Sequence, residues 1–175
     1  MTTTTTPTER PPLTSMSGRP TLRGHLAIMR VDHWFKQVFV LPGVAIALSD
    51  STTDIPGGLA GRLVIGFLSV CLVSSSNYVI NEMLDAPYDR LHPIKHTRPV
   101  PSGLVNVPLA YVQWIALMVV GVGLGLAINT AFALTMLALW VMGCLYNIPP
   151  VRTKDVAYVD VLSESINNPL RMLAG

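Results

Sequence analysis

Three oxygen-bearing side chains, Asn81, Asp85 and Asp89, stand four residues apart in the stretch NEMLDAPYDRLHPIKHTRPVPSG, residues 81 to 103. On a continuous helix each step of four advances about 40° around the axis and about 6 Å along it, so the three form one stripe about 12 Å long. Such a stripe suits a hard divalent cation, because Mg²⁺ takes oxygen ligands, keeps several waters and typically joins one or two carboxylates to substrate phosphates. Pro87 removes one backbone bond and crowds the carbonyl four residues earlier, which predicts a break or kink that leaves Asp89 on a loop. Behind the acids come Arg90, Lys95 and Arg98, with His92 and His96 between them. Acids bridged by a metal and faced by basic side chains are what binding a diphosphate requires. The same charges also read as a solvated loop that sets membrane topology. Against that, Asn81, Glu82 and Asp85 continue directly from an apolar run, and ionisable groups at membrane depth are costly enough to point to function. His92 and His96 sit beside Pro93, a poor setting for a zinc pair.

The elements that must carry these groups follow from composition. The chain has 175 residues, of which 50% are hydrophobic and 13% charged, whereas soluble domains are about 25% charged. Its mean hydropathy is +0.48. Apolar windows recur near residues 34 to 49, 63 to 80, 106 to 128 and 131 to 148, and a more polar one begins near Val156. Runs of about 18 or more apolar residues are long enough to cross a bilayer, so the reading is an all-α integral membrane protein with four transmembrane helices plus the start of a fifth. Gly121 and Gly125, four apart in the third window, read as positions of close helix approach.

Residues 1 to 24 are rich in Thr and Pro and cannot repay the entropy of ordering, which predicts a disordered tail ahead of a membrane domain over residues 25 to 175. No apolar segment precedes residue 34, so the first span reads as an uncleaved helix. Cys71 and Cys144 lie inside apolar runs and offer neither a disulfide framework nor a cysteine-rich metal site. A net charge of +2 without clustered Lys and Arg argues against a nucleic-acid partner. Arg19, Arg23, Arg30 and Lys36 precede or open the first window, Arg90, Lys95 and Arg98 follow the second, and Arg152 and Lys154 follow the fourth. The alternate connections hold Asp50, Asp54 and Arg62, or, near Asn129, no charge. The positive-inside rule then puts the N-terminus and both basic loops on the cytoplasmic side of the cell membrane.

At residues 81 to 103 the chain resembles the UbiA-type intramembrane prenyltransferases, whose first aspartate-rich motif is typically N-D-x-x-D-x-x-x-D, followed by a basic segment and R-P-x-x-x-G. Asn81, Asp85 and Asp89 fall on the Asn and on the second and third acidic positions; Glu82 replaces the first Asp, and Arg98, Pro99 and Gly103 follow in register. YNIPPVRTK, residues 146 to 154, is similar to the Y-S-x-P-P-x-R-x-K found after the fourth helix in many members, with Asn147 where Ser is usual. Taken alone, that stretch also reads as a basic topology anchor after a Pro-Pro turn. MRVDHWFKQ, residues 29 to 37, resembles the L-R-P-x-Q-W-x-K-N of the branch that transfers phosphoribosyl groups to decaprenyl phosphate, and LRMLAG, residues 170 to 175, resembles its L-R-A-I-A-G.

The resemblance spans about residues 29 to 175. It implies a fold of nine membrane helices with a second aspartate-rich motif between the sixth and seventh. Asp160 and Glu164 fall at the start of the fifth window, so that motif is not carried onto them, and the expectation is an N-terminal part that inserts in a membrane but is inactive alone. The activity implied is Mg²⁺-dependent transfer of a polyprenyl group from its diphosphate to an acceptor within the lipid bilayer. Asn81, Asp85 and Asp89 would be the catalytic, metal-holding residues. Lys95, Arg98, Arg152 and Lys154 would neutralise the departing pyrophosphate, and Tyr146 would hydrogen-bond it. In the alternative, the acids grip phosphoribosyl pyrophosphate and a polyprenyl phosphate is the acceptor; MRVDHWFKQ favours that branch and YNIPPVRTK the prenyl-transferring ones. A different class is a non-enzymatic transporter or scaffold in which Asp85 and Asp89 merely bind cations, but transporters interrupt helices at mid-membrane depth, and this cluster lies at the membrane's edge.

The charge pattern fixes an expected topology. In a background without native cysteines, Asp54→Cys in intact cells should react with an impermeant maleimide and Ile94→Cys should not; the opposite pattern would reverse the orientation.

Overall fold

The structure is a computed structural model and describes residues 18–49 and 57–155. Its elements are α1 (Leu22–Ala27), a 3-10 helix (Val31–Val40) that runs directly into α2 (Leu41–Ser49), α3 (Leu59–Asp89), α4 (Val107–Leu126) and α5 (Thr130–Asn147), with short 3-10 turns at Lys95–Thr97 and Thr153–Asp155. The described residues contain no strand. The helix starts are written locally. Thr21 Oγ1 accepts from Gly24 N at 3.0 Å, Asn106 Oδ1 from Leu109 N at 3.0 Å and Asn129 Oδ1 from Phe132 N at 2.7 Å, each satisfying one of the amides a helix leaves open at its first turn.

Three helices among the described residues, α3, α4 and α5, are long and apolar enough to cross a membrane. The expected count of four is not confirmed among the described residues. The window from 34 to 49 folds as the 3-10 helix plus the nine-residue α2 rather than as one α-helix. Pro42 offers one reason: proline is tolerated in the first turn of a helix but not in its interior, so an α-helix containing it starts at Leu41. The expected break at Pro87 fails. α3 runs unbroken through Pro87 to Asp89; a proline so close to the helix end costs one backbone bond, and Arg90 N still bonds to Ala86 O at 3.1 Å. Asp89 is therefore the last helical residue, not a loop residue. Of the expected disordered tail, residues 1 to 24, the part up to Ser17 lies outside the described residues, whereas Thr21 caps α1 and residues 22 to 24 are helical; the loop residues Asp50 and Asp54, the fifth window from Val156, Asp160 and Glu164, and the LRMLAG stretch also lie outside the described residues.

α3 is the axis of the bundle. In its most apolar stretch 56% of the residues are buried, against 17% in that of α4, so α4 turns most of its surface outward. Between apolar helices in lipid, association depends on close packing and hydrogen bonds rather than on the hydrophobic effect, and small residues supply both here. Gly121 of α4 lies against Ser69 and Val73 of α3, and Ser69 Oγ donates to Gly121 O at 2.6 Å. Gly125 meets Phe132 and Ala133 of α5, whereas Gly123 has open space beside it. Gly143 of α5 sits directly on the side chain of Asn77, which donates to Leu139 O at 3.1 Å. Ser76 donates to Trp114 O at 2.8 Å and accepts from Trp140 Nε1 at 3.1 Å, and the two indoles stack 5.4 Å apart. The 3-10 helix is tied to α3 through Trp34 Nε1, which donates to Ser75 Oγ at 3.0 Å.

Gly143→Leu would drive a side chain into Asn77 and should destabilise the detergent-solubilised protein by about 1–3 kcal/mol, read as a fall in Tm. Gly123→Ala, in open space, should leave Tm nearly unchanged.

Candidate functional site

The last two and a half turns of α3 carry Asn81, Asp85 and Asp89 on one stripe, as the spacing requires of an unbroken helix. Asp85 Oδ1 accepts from Lys154 Nζ at 2.6 Å and from Arg152 Nη2 at 3.1 Å. Both cations come from the segment after α5. Asn147, buried in the last turn of α5, joins them to the helix stripe: its Oδ1 accepts from Asn81 Nδ2 at 2.6 Å and from Lys154 Nζ at 3.0 Å, while its Nδ2 donates to Gly143 O at 2.9 Å. Arg152 also lies 2.8 Å from Asp155 through Nε and stands over the Tyr88 ring, 5.4 Å from its centroid. Its backbone is in the left-handed region (φ 23°), a conformation that costs a non-glycine residue about 1–3 kcal/mol and persists only where the surroundings over-determine it. Three partners for one guanidinium supply that determination.

One turn further along, buried Asp89 accepts from Arg98 Nη1 through Oδ2 at 2.7 Å. The loop that presents Arg98 is closed by Ser102 N to Arg98 O at 3.0 Å and by Leu104 N to Pro99 O at 2.9 Å. Gly103 takes φ +79°, a conformation open to glycine at no steric cost, and so returns the chain into α4. The same loop is fastened to α3 by Glu82, which is buried; its Oε1 accepts from Val100 N at 3.2 Å and its Oε2 lies 3.9 Å from Arg30 Nη2.

Asn81, Asp85, Arg152 and Lys154 thus form one polar network, with Asp89 and Arg98 as a second pair beside it. Tyr146 is half-buried next to Asn147 at the end of α5. Lys95 is exposed on the turn Lys95–Thr97 and makes no ion pair among the described residues. His92 organises that turn instead, its Nδ1 accepting from Ile94 N and Lys95 N at 3.2 and 3.3 Å. No group of three or more His, Cys, Asp and Glu side chains gathers among the described residues, so oxygen donors here come from the two aspartates and Asn81.

Sequence reasoning missed two residues. Asn147 was legible only as a departure from the usual Ser, and the structure makes it the hub between two helices. Glu82 is offset about 100° from Asn81 around the helix, a signal that it leaves the stripe and faces the loop.

The chain is similar to known proteins over most of its length. A family profile described as the UbiA prenyltransferase family matches residues 38–170. The decaprenyl-phosphate phosphoribosyltransferase of Mycolicibacterium smegmatis is 31% identical over 105 residues, covering 60% of this chain and 31% of that protein. The digeranylgeranylglyceryl phosphate synthase of Saccharolobus solfataricus is 32% identical over 93 residues, 53% of this chain and 30% of that one. A UbiA homologue from Archaeoglobus fulgidus, solved bound to DMAPP and Mg²⁺, matches with a TM-score of 0.71 and 26% identity over 86% of this chain and 52% of that chain. The same homologue bound to GPP and Mg²⁺ matches with a TM-score of 0.71 and 27% identity. The chain spans about a third of the length of these curated relatives and about half that of the solved structures.

Glu82→Ala would strand the Val100 amide in a buried setting and should cost about 1–3 kcal/mol, while raising hydrogen exchange at Val100 well above that at Leu104. Glu82→Gln keeps an acceptor and should restore most of the protection.

Proposed function

The chain belongs to the UbiA prenyltransferase family, and on that premise we propose that the network at the end of α3 binds the diphosphate of a polyprenyl donor with Mg²⁺ and releases it as pyrophosphate while the prenyl group passes to an acceptor. The observation that carries this reading is the convergence of Lys154 and Arg152 on Asp85, from 69 and 67 residues away, one helical turn from the Asp89–Arg98 pair. A solvated topology loop has no need to gather three cations on two half-buried or buried acids.

The donor set fits Mg²⁺. Two carboxylates and an amide are hard oxygen ligands, and among the described residues the ion pairs of each aspartate run through one oxygen, Oδ1 in Asp85 and Oδ2 in Asp89. When bound, Mg²⁺ would link Asp85, Asp89 and Asn81 to the diphosphate and offset its charge. Arg98, Arg152 and Lys154 wait on the carboxylates with their charges partnered, and can turn donors toward diphosphate oxygens when a substrate enters. Contacts to the leaving oxygens strengthen as the carbon–oxygen bond breaks and negative charge grows, so they lower the barrier more than they tighten ground-state binding. Asn147 positions Lys154, and Glu82 positions the Arg98 loop. Exposed Lys95 and half-buried Tyr146, next to Asn147, complete the group expected to meet the diphosphate. Leaving-group departure needs no nucleophilic side chain. The polar end of the bundle, with the N-terminus, faces the cytoplasm in this reading.

A second donor has its own support. Arg30, in the MRVDHWFKQ segment, lies 3.9 Å from Glu82 and so brings that segment to the same end of α3, and relatives named decaprenyl-phosphate phosphoribosyltransferase recur among the similar proteins. In that case the departing pyrophosphate leaves a ribose carbon and a polyprenyl phosphate is the acceptor. The residues of this chain do the same work.

Radiolabelled geranyl diphosphate and phosphoribosyl pyrophosphate, offered separately with Mg²⁺ to the complete gene product in membranes, distinguish the donors. Asp85→Asn and Asp89→Asn should each lower turnover and Mg²⁺-dependent retention of the true donor by about 10²- to 10³-fold, and Arg98→Ala should do more harm than Arg90→Ala. Near-normal values in both Asn variants would return the loop to a topology signal.

A further inference from the structure

α1 plays no part in the site, yet it is fixed firmly. Thr21 N donates to Leu104 O at 3.0 Å, and Gly24 lies so close to the Leu104 backbone that no side chain fits there. Buried His25 accepts at Nε2 from Asn106 N at 3.2 Å, which leaves its proton on Nδ1 for donation to Gln113 Oε1 at 2.9 Å. Gln113 Nε2 returns a bond to His25 O at 2.9 Å. Four bonds hold this short helix side-on to the first turns of α4. Gly24 and His25 face inward; Leu22 and Leu26 are 77% and 52% exposed, beside Leu109 and Val112 of α4 at 53% and 63%. Between them runs a groove of about 590 Å³.

Three features identify its occupant. The groove lies where α4 begins, at the level where a membrane-spanning helix meets the headgroup boundary. Its apolar side continues down α4 through exposed Val119, along a helix long and apolar enough to cross a membrane. The segments that form it carry charge of one sign: Arg19 and Arg23, exposed and next in sequence to the lining residues Pro20 and Leu22, are joined by no acid within residues 18 to 29, and residues 104 to 126 hold none either. A helix with apolar and cationic faces at a membrane boundary attracts anionic lipid by both terms. We propose that the groove between α1 and α4 is a binding site for an anionic phospholipid of the bilayer, with an acyl chain along Leu22, Leu26, Leu109 and Val112 and the headgroup phosphate met by Arg19 and Arg23. The hydrogen bonds of His25 and Gln113 hold the two walls at a fixed separation, so the groove is preformed. The proposal stands whether or not the transferase reading does.

The test uses the purified protein in neutral detergent micelles, titrated with spin-labelled phosphatidylglycerol and, separately, phosphatidylcholine; the motionally restricted fraction reports binding. Phosphatidylglycerol should be retained at least about tenfold more tightly, and Arg19→Gln with Arg23→Gln should abolish that preference. Arg62→Gln, at the opposite end of α3, should leave it unchanged, and inorganic phosphate should not compete. Gln113→Ala should loosen α1 and weaken binding of both lipids, without altering Mg²⁺-dependent retention of the diphosphate. Equal retention of the two lipids by the unaltered protein, or a preference that survives the double Arg variant, would overturn the proposal.

Discussion

A carboxylate carried to the end of a membrane-crossing helix must find partners, because an unpaired charge at low dielectric costs far more than its neighbours' packing can offset. Asp85 is that carboxylate, and much of the polar end of the bundle is arranged around it. The chain after α5 folds back so that Arg152 and Lys154 reach it, and Arg152 accepts a left-handed backbone to do so. Asn147 is buried because it must accept from Lys154 and from Asn81 at the same time. Such a network adds little net stability, since desolvation offsets most of its attraction. Its consequence is preorganisation: cations are held beside acids, in register, before a ligand arrives.

The apolar length of the helices serves this end of the molecule. α3 can pack tightly against both α4 and α5 because glycines meet its small polar side chains, Gly121 on Ser69 and Gly143 on Asn77. Gly143 has a double role, since its carbonyl also accepts from Asn147. The close crossing of α3 and α5 thus fixes where the end of α5 stands, and with it the return of Arg152 and Lys154. Helix packing at mid-membrane and ion pairing at the edge are one mechanical system.

Family membership and geometry meet at the acids of α3, and they carry different weight. Membership is a property of the sequence over residues 38–170. What this chain adds is a particular set of substitutions. Glu82 is committed to a backbone amide of the Arg98 loop, so a longer side chain at that position can fasten the loop instead of joining the stripe. Asn147 supplies both an acceptor and a donor from one side chain, which a hydroxyl at the end of a shorter side chain would not reproduce in the same place.

The sequence by itself determined what repeats along a single helix or depends on local chain chemistry. Steps of four placed Asn81, Asp85 and Asp89 on one stripe, and hydropathy marked α3, α4 and α5. It also brought basic residues to one end of alternate helices. Only the tertiary structure decided which base meets which acid, that Glu82 faces a loop and Asn147 links two helices, that Pro87 leaves α3 intact, and that residues 31 to 49 divide into two short helices. The physical reason is range. Periodicity and caps are set by neighbours within a few residues, whereas the meeting of Lys154 with Asp85 across 69 residues depends on how closely three helices pack, and that closeness is decided by glycines and small side chains whose contacts exist only once the helices have crossed.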